Sequence, residues 1–300
     1  MSGLRGASEL LSPEAVQAVG GLDLRAKLVA EGFLAGRHRA LSRGFSAEFA
    51  GHRRYAGREP VRAIDWTVWA RTNRLYVREF SADTSLNGTL IVDASASMGY
   101  GPGPVTKLRY AVDLVGALAY IMARQGDPVG LMVLGRDRME GVRPSAKPGQ
   151  LVRVLCELDG LHASGSGSFA EGLESALPYV RRRGIVVLAS DLHPASDTGR
   201  WARLFSRLRS RGHDTIVFHV LDADEVRPPF AERVELVDME TGRTAGLDPE
   251  GVEAYAGKVR EWRGELARAA GACGVDYVPM DTSTPFGMAL ASYLARRAGH

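Results

Sequence analysis

Asp93, Ser95 and Ser97 form the pattern Asp-x-Ser-x-Ser, which closes an apolar run over residues 89–92. Alternate positions at the end of a buried strand direct one carboxylate and two hydroxyls toward the same place. Hard oxygen ligands of low total charge suit Mg²⁺ or Mn²⁺, and such a site keeps coordination positions free for a further ligand. Ser and Asp at a strand end are also ordinary turn residues. The pattern alone leaves metal binding and turn formation both open.

Two later loops carry side chains that could complete a metal site. Ser168 follows a Gly- and Ser-rich loop over residues 160–167 and precedes a predicted helix, and Asp191 follows an aliphatic strand over residues 185–189. Together with the first loop they supply two carboxylates and three hydroxyls, which could neutralise and surround a divalent cation. The alternative is structural, with Ser168 as a helix cap and both Asp residues bonded to nearby backbone amides. Spacing does not decide between them.

The elements that must position these residues alternate between short apolar strands and longer amphipathic helices. Strands that are apolar on both faces predict a parallel sheet covered by helices on both sides. Ligands of such sheets bind at the carboxyl ends of the strands, where the strand order reverses. Asp93 and Asp191 close the two most apolar strands, so we expect them to be neighbours there. The predicted strands are 90–93, 129–134, 138–143, 185–189, 215–221 and 275–278, and the predicted helices are 107–124, 150–158, 169–182, 200–211, 250–270 and 285–298.

Two regions depart from this alternation. Residues 231–248 predict an inserted hairpin with its turn at residues 238–242. Residues 1–85 hold one predicted helix, over residues 13–31, and an Arg- and Trp-rich stretch with little periodicity. We therefore predict a doubly wound, mostly parallel α/β fold in residues 86–300, with residues 1–85 as an N-terminal flanking segment.

The composition is that of a globular protein. Of 300 residues, 45% are hydrophobic and 24% are charged, so a sizeable core can form. No apolar run approaches the roughly 20 residues that a membrane-spanning helix needs, and the N-terminus does not resemble a secretory signal. Cys156 and Cys273 are the only cysteines and lack metal-ligand spacing. We expect a cytoplasmic protein without an integral membrane segment.

The net charge of +3 is concentrated at the N-terminal end, where residues 1–80 hold 13 Lys and Arg against 8 Asp and Glu. A basic segment can attract nucleic acid or an acidic partner. Runs of one sign are short, however, and the only interleaved stacking aromatics are Trp66 and Trp69. We expect an ion-paired surface and no nucleic-acid partner, and keep nucleic-acid binding as a weaker alternative.

Enzyme signatures are missing from the sequence. It contains no Gly-x-Ser-x-Gly, no phosphate-binding loop with its Lys, no Gly-x-Gly-x-x-Gly opening a helix and no His-Glu-x-x-His. His162 and His193 lie in loops near the predicted metal site, so metal-assisted hydrolysis is the alternative function. A loop histidine is more often a surface residue. We expect a binding protein without catalytic residues.

Several motifs resemble known families. The pattern Asp93-x-Ser95-x-Ser97-Met98, with Ser168 and Asp191 in later loops, resembles the metal-ion-dependent adhesion site of von Willebrand factor A domains. The blocks Arg62-Ala63-Ile64-Asp65-Trp66 and Ala70-Arg71-Thr72 resemble bacterial proteins of domain-of-unknown-function family 58, in which such blocks precede a von Willebrand A-like domain. The likeness covers roughly residues 40–297 and includes Gln125-Gly126-Asp127-Pro128 and Ser190-Asp191-Leu192.

This resemblance implies a von Willebrand A-like fold and Mg²⁺ or Mn²⁺ bound by Asp93, Ser95, Ser97, Ser168 and Asp191. It also implies an adaptor that binds a partner carboxylate through the metal and works with a MoxR-type AAA+ ATPase in chaperone-like assembly. Two positions depart from the family pattern, since the Gly-Asp turn reads Gly57-Arg58-Glu59 and the usual Thr of the second metal loop is Ser168.

The Arg- and Trp-rich block has two interpretations. Arg62, Asp65, Trp66 and Arg71 could form a surface that docks a partner, since Trp and Arg are enriched at interface hot spots. Alternatively, Trp66 is a core anchor and the charged residues form a fixed ion-pair network. The second interpretation is favoured because large aromatic side chains are usually buried.

Overall fold

The structure is a computed structural model that describes residues 16, 21–41, 49–54, 76–80, 87–135, 139–165, 167–180, 183–193, 197–230, 232–287 and 290. The chain divides into two compact units, one of residues 1–34 and 86–300 and the other of residues 35–85. The strands are β1 (Phe49–Arg54), β2 (Tyr76–Phe80), β3 (Gly88–Asp93), β4 (Val129–Leu134), β5 (Glu140–Ser145), β6 (Gly184–Ser190), β7 (His213–Leu221), β8 (Val234–Val237), β9 (Thr244–Leu247) and β10 (Asp276–Asp281).

The helices alternate with these strands along most of the chain. They are α1 (Leu22–Leu41), α2 (Lys107–Arg124), α3 (Gln150–Asp159), α4 (Phe169–Ala176), α5 (Thr198–Ser210), α6 (Ala223–Val226) and α7 (Pro249–Ala272), with 3₁₀ turns at Ala96–Gly99 and Leu177–Tyr179. In the part of the chain that the structure describes, none of these helices combines the length and apolarity needed to cross a membrane.

The smaller unit contains an antiparallel pair, in which β1 pairs with β2. Neither strand is predicted from the sequence. Their residues, Phe-Ala-Gly-His-Arg-Arg and Tyr-Val-Arg-Glu-Phe, mix charge and glycine with few apolar positions. Strand pairing of this kind depends on contacts between distant segments, and no alternating apolar pattern announces it.

The larger unit is built on a six-stranded sheet in the order β10-β7-β6-β3-β4-β5. Neighbouring strands run parallel except for β4 and β5, which form an antiparallel hairpin at one edge. This confirms the predicted doubly wound, mostly parallel sheet. The reversal of strand order lies between β3 and β6, which are the two strands buried along their whole length.

Both faces of the sheet are covered by apolar side chains. Leu90 and Val92 of β3 pack in a cluster with α1, α2 and α3, while Ile91 packs in a second cluster with α4, α5 and α7. Successive side chains of a strand point to opposite faces, so each residue of this short apolar run is buried on one side or the other. That double burial fixes the position of Asp93 at the end of the run.

Several predicted element boundaries differ from the structure. The helix predicted over residues 169–182 ends at Ala176, because Pro178 has no backbone N–H and its ring disfavours a continuing α-helix. The predicted helix over residues 13–31 continues to Leu41 as α1, with most of residues 13–20 outside the described part. Most of the helix predicted over residues 285–298 also lies outside it.

The inserted hairpin is present as β8 and β9, which pair antiparallel between α6 and α7. Its turn is held by the Asp238 carboxylate, whose Oδ1 accepts the backbone N–H of Glu240 at 2.8 Å and whose Oδ2 accepts the Thr241 hydroxyl at 2.7 Å. Hydrogen bonds from a turn residue to the next few amides are a local source of turn stability. The hairpin turn is therefore an ordered feature.

Candidate metal centre

The two predicted carboxylates meet at the point where the strand order reverses. Asp93 is the last residue of β3, and Asp191 directly follows β6, which pairs with β3 in parallel. We call this region, at the carboxyl ends of β3 and β6, the switch-point edge. Both carboxylates are buried there, with 1% of Asp93 and 2% of Asp191 exposed. The fold thus brings together the residues that sequence reasoning expected to be neighbours.

Asp93 is held by hydrogen bonds from Ser95 and Ser190. Its Oδ1 accepts the backbone N–H of Ser95 at 2.9 Å, and its Oδ2 accepts the hydroxyl of Ser190 at 2.5 Å. Burial, and then the nearby negative charge of Asp191, raise the pKa of Asp93 to about 7, although the hydrogen bonds from Ser190 and Ser95 act in the opposite direction. Among the described residues, the main groups that shift this pKa include no cation. Asp93 is therefore a buried carboxylate whose charge is poorly compensated.

The hydroxyls of Ser95 and Ser97 lie beside this carboxylate. Their Oγ atoms are 3.1 Å apart, and both residues are buried, at the entry to the 3₁₀ turn Ala96–Gly99. A hydrogen bond from Ser97 also lowers the pKa of Asp191. The Asp-x-Ser-x-Ser loop therefore converges on both carboxylates, as alternate strand-end positions predict.

Asp191 has a different environment from Asp93. Its Oδ1 accepts the backbone N–H of His193 at 3.2 Å, and its Oδ2 accepts the ammonium of Lys107 at 2.9 Å. Burial alone would raise the pKa of Asp191, but the attraction and hydrogen bond of Lys107 outweigh it, and the pKa is lowered. This carboxylate is ionised and already paired with a cation.

Ser168 occupies the N-cap of α4. Its hydroxyl accepts the backbone N–H of Glu171 at 3.4 Å, and the residue is half-buried. The preceding loop is joined to the Asp93 loop by two backbone hydrogen bonds, from Ala96 to Gly165 at 3.2 Å and from Ser164 to Ala94 at 2.9 Å. The loop before Ser168 therefore reaches the switch-point edge. Ser168 caps α4, which was the structural alternative to metal binding. Its role as a metal ligand stays a prediction.

Three residues of the site were missed by sequence reasoning. Lys107 opens α2, Ser190 ends β6 and Glu225 lies in α6, and their side chains bond to Asp191, Asp93 and Lys107 respectively. One weak signal existed for Lys107, because a cation at the start of a helix opposes the helix dipole and needs a compensating partner. Ser190 and Glu225 carried no comparable signal.

Both loop histidines, His162 and His193, have polar neighbours within the protein. His162 is exposed and its Nδ1 lies 2.8 Å from the carbonyl oxygen of Gly160. His193 is closer to the edge, since its backbone binds Asp191 and its Nδ1 lies 4.0 Å from Oε2 of Glu240 in the inserted hairpin. Met239 of the same turn lies near Gly99, since a Cβ added there would be 3.7 Å from the Met239 Cε. The hairpin turn therefore lies beside the switch-point edge.

The donor set fits a small divalent cation. In the described part of the chain, Asp93 is a buried carboxylate without a cationic partner, and Ser95 and Ser97 add neutral oxygens, which is the ligand chemistry of Mg²⁺ or Mn²⁺. The loop is tightly cradled, because a Cβ on Gly135 would lie 2.4 Å from Asp93 Oδ1. Within the described residues no group of three or more His, Cys, Asp or Glu could hold a metal. A metal bound by the described residues of this edge would therefore need the serine hydroxyls as ligands.

The other predicted signature residues, Arg62, Asp65, Trp66 and Arg71, lie outside the described residues. Arg58, which departs from the expected Gly-Asp turn, lies there too. Their roles as a docking surface or as structural anchors stay predictions.

The comparisons with known proteins agree with the motifs. A family model described as "Protein of unknown function DUF58" matches residues 51–261. The uncharacterized protein Rv1480 of Mycobacterium tuberculosis is 29% identical over 310 residues, which is 99% of this chain and 95% of the relative. A protein of Mycobacterium bovis, Mb1516, matches to the same extent.

Two solved structures are similar at low sequence identity. The conserved hypothetical protein BatB from Bacteroides thetaiotaomicron is 15% identical with a TM-score of 0.45, over 72% of this chain and 100% of that chain. The SpRpn10 VWA domain is 14% identical with a TM-score of 0.43, over 69% of this chain and 95% of that chain. The family model covers more than two thirds of the sequence, and on that ground the chain belongs to the DUF58 family.

Proposed function

We propose that this protein is a binding module that holds a protein partner through a divalent cation at the switch-point edge. The observation that carries the proposal is the meeting of Asp93 with Ser95, Ser97 and Asp191 where the strand order reverses, with Asp93 buried and without a cationic partner among the described residues. A buried carboxylate in that state is costly unless a cation or a proton compensates it. Mg²⁺ or Mn²⁺ is the cation that the oxygen donors favour.

Five residues of the chain would bind the cation, either directly or through water. Ser95, Ser97 and Ser168 would supply direct oxygen ligands, while Asp93 and Asp191 would act directly or through water. When bound, the cation would offer a positive charge to which a carboxylate of the partner could attach. Ser190 would keep Asp93 in place, since its hydroxyl donates to Asp93 Oδ2 and accepts the backbone N–H of Leu192 at 2.8 Å.

Binding is favoured over hydrolysis by the state of the polar groups at the edge. The Ser190 hydroxyl is engaged by Asp93 and by the Leu192 amide, and Lys107 is engaged by two carboxylates. Within the described residues, the edge therefore lacks the arrangement of a nucleophile beside a free base that acyl or phosphoryl transfer needs. Metal-assisted hydrolysis finds no supporting observation beyond the nearby His193.

The partner we propose is a MoxR-type AAA+ ATPase, with the pair acting in chaperone-like assembly. Support for this partner comes from the family resemblance of the Arg62–Trp66 block. A cation-bridged contact suits such a partner because acidic side chains are common on protein surfaces.

A binding assay with a purified MoxR-type ATPase tests this function. We expect the full-length chain to bind in Mg²⁺, to dissociate in chelator, and to lose binding when Asp93→Ala is introduced, because the central ligand is removed. Asp23→Ala is the matched control, since Asp23 is exposed in the first turn of α1 and distant in sequence from the edge. Binding that persists in chelator and in Asp93→Ala would contradict the metal-dependent contact, and absence of binding under all conditions would exclude this ATPase.

A further inference from the structure

Lys107 is the most enclosed cation among the described residues. Its side chain is 2% exposed, and its ammonium lies 2.9 Å from Asp191 Oδ2 and 2.9 Å from Glu225 Oε1. The Tyr100 ring lies below it, with the Nζ 5.9 Å from the ring centroid. A buried ammonium keeps its charge only when such partners replace its water. Lys107 is therefore a fixed positive charge built into the switch-point edge.

The two partners of Lys107 come from different loops of the same edge. Asp191 follows β6, and Glu225 lies in α6, just after β7. Glu225 is itself held, because its Oε2 accepts the backbone N–H of Asp222 at 2.7 Å. The ammonium therefore joins two neighbouring strand ends and has little freedom to move away from Asp191.

A divalent cation at this edge would meet that positive charge. Asp191 interacts with both Asp93 and Lys107. Its negative charge raises the pKa of Asp93, and its Oδ2 accepts a hydrogen bond from the Lys107 ammonium. A cation held by Asp93 would gain attraction from Asp191 only to the extent that Lys107 has not neutralised it. The two positive charges would also repel each other across a buried, weakly screened space.

We propose that Lys107 is an internal counter-ion that competes with the divalent cation for Asp191 and thereby sets how tightly the switch-point edge binds that cation. This inference rests on the proposed metal-dependent function and assigns Lys107 as the residue that determines affinity. Lys107 then neutralises the charge of Asp191, while the carboxylate of Asp93 stays available to the divalent cation.

Calorimetric titration of the full chain with Mg²⁺ and Mn²⁺ tests the competition. We expect Lys107→Met to bind at least about tenfold more tightly than the parent, because an opposing charge is removed and Asp191 is released. Lys107→Arg keeps the charge and should bind like the parent. Lys258→Met is the matched control for a change of net charge, since Lys258 is exposed on α7.

Thermal unfolding supplies a readout that does not depend on binding heats. In chelator we expect Lys107→Met to be less stable than the parent, because Asp191 loses its partner, and Mg²⁺ should restore more stability to the variant than to the parent. If Lys107→Met does not fold in chelator, recovery of its circular dichroism and of a cooperative transition in Mg²⁺, but not in NaCl of equal ionic strength, supports the competition. A variant that stays unfolded in Mg²⁺ overturns it.

The outcomes separate this inference from the proposed function. Equal affinities of parent and Lys107→Met would overturn the role of Lys107 and leave the metal-dependent function standing. Binding by Lys107→Met alone would support the competition and would contradict metal binding by the parent. Absence of binding by both would overturn both proposals.

Discussion

The two sides of the switch-point edge carry the same side chain in opposite electrostatic states. Asp93 ends β3 and is surrounded by hydroxyl and amide donors, and its pKa is raised to about 7. Asp191 follows β6 and is bonded to the Lys107 ammonium, and its pKa is lowered. Both residues are almost completely buried, so burial does not distinguish them. The largest difference is the Lys107 ammonium, which lies 2.9 Å from Asp191 Oδ2.

Under the proposed function, this difference would allow a site with two carboxylates to be stable without a bound cation and still favour one. The Asp191 side is already neutralised by Lys107, while the Asp93 side would gain from either a proton or, as we propose, a metal ion. The edge therefore carries one structural carboxylate and one available carboxylate.

The largest effect is expected from Asp191→Asn. The substitution leaves the shape nearly unchanged but deprives the buried Lys107 ammonium of its more buried partner, with only the partly exposed Glu225 remaining. Removing one member of a buried ion pair is costly, so we expect the free energy of unfolding to fall by about 3 kcal/mol. Urea denaturation measures it, and a loss no larger than that of Asp93→Asn would break the comparison.

Gly135→Ala should act on the Asp93 side alone. The new Cβ would lie 2.4 Å from Asp93 Oδ1 and 2.9 Å from the Ser95 nitrogen, at a residue with φ of +82°. We expect a loss of about 2 kcal/mol in urea denaturation together with weaker Mg²⁺ binding, since the carboxylate must shift.

Gly149→Ala is the control for backbone strain. Gly149 has the same φ of +82°, but a Cβ there meets nothing within 4 Å. It should show the strain without the loss of metal affinity. Equal metal affinities in the two glycine variants would show that Gly135 does not cradle Asp93.

The pH dependence of Mg²⁺ binding should follow Asp93. Because the metal requires the ionised carboxylate, affinity should fall by about tenfold for each pH unit below about 7 and level off above it. In chelator, the stability of the fold should depend on pH in the opposite direction. Because the pKa of Asp93 is raised in the folded state, its contribution to stability is full below the ordinary value of 3.8 and is lost as pH rises through about 7. Titrations and melting curves across this range measure both, and an affinity that is constant from acid to neutral pH would contradict the assignment.

The smallest effect is expected from Asp93→Asn in chelator. At about pH 8 the substitution removes a buried and poorly compensated charge, so the free energy of unfolding should change by less than about 1 kcal/mol or rise slightly. If Asp93 and Asp191 differ as described, Asp93→Asn and Asp191→Asn should change the free energy of unfolding in opposite directions or by strongly unequal amounts in the same urea series. A loss near 3 kcal/mol would mean that Asp93 has a cationic partner, in contradiction to its surroundings.

The sequence predicted the framework of this edge better than its charges. Asp93 and Asp191 were expected at neighbouring strand ends because apolar runs and helix periodicity are local patterns, and the doubly wound order follows from them. Lys107 and Glu225 were missed because they lie 84 residues from Asp191 and 118 residues from Lys107, respectively. Pairing between distant side chains is decided by tertiary packing, which no local pattern records.

The same distinction applies to the elements. The inserted hairpin was predictable because the Asp238 turn is local chemistry, with hydrogen bonds to residues two and three positions ahead. The β1–β2 pair was not, since it joins segments that carry no alternating apolar pattern. The early end of α4 depends on Pro178, which is a local signal. The apolar periodicity of residues 169–182 nevertheless predicts a longer helix.

The most direct test of the account is a calorimetric Mg²⁺ titration of the parent and of Asp93→Asn at about pH 8, where Asp93 is ionised. Asp23→Asn, on the exposed start of α1, is the control. We predict a saturable isotherm with one site in the parent and the control, and none in Asp93→Asn. Equal heats in the parent and Asp93→Asn, or no binding in any of the three, would contradict the claim that Asp93 is the available carboxylate of a metal centre.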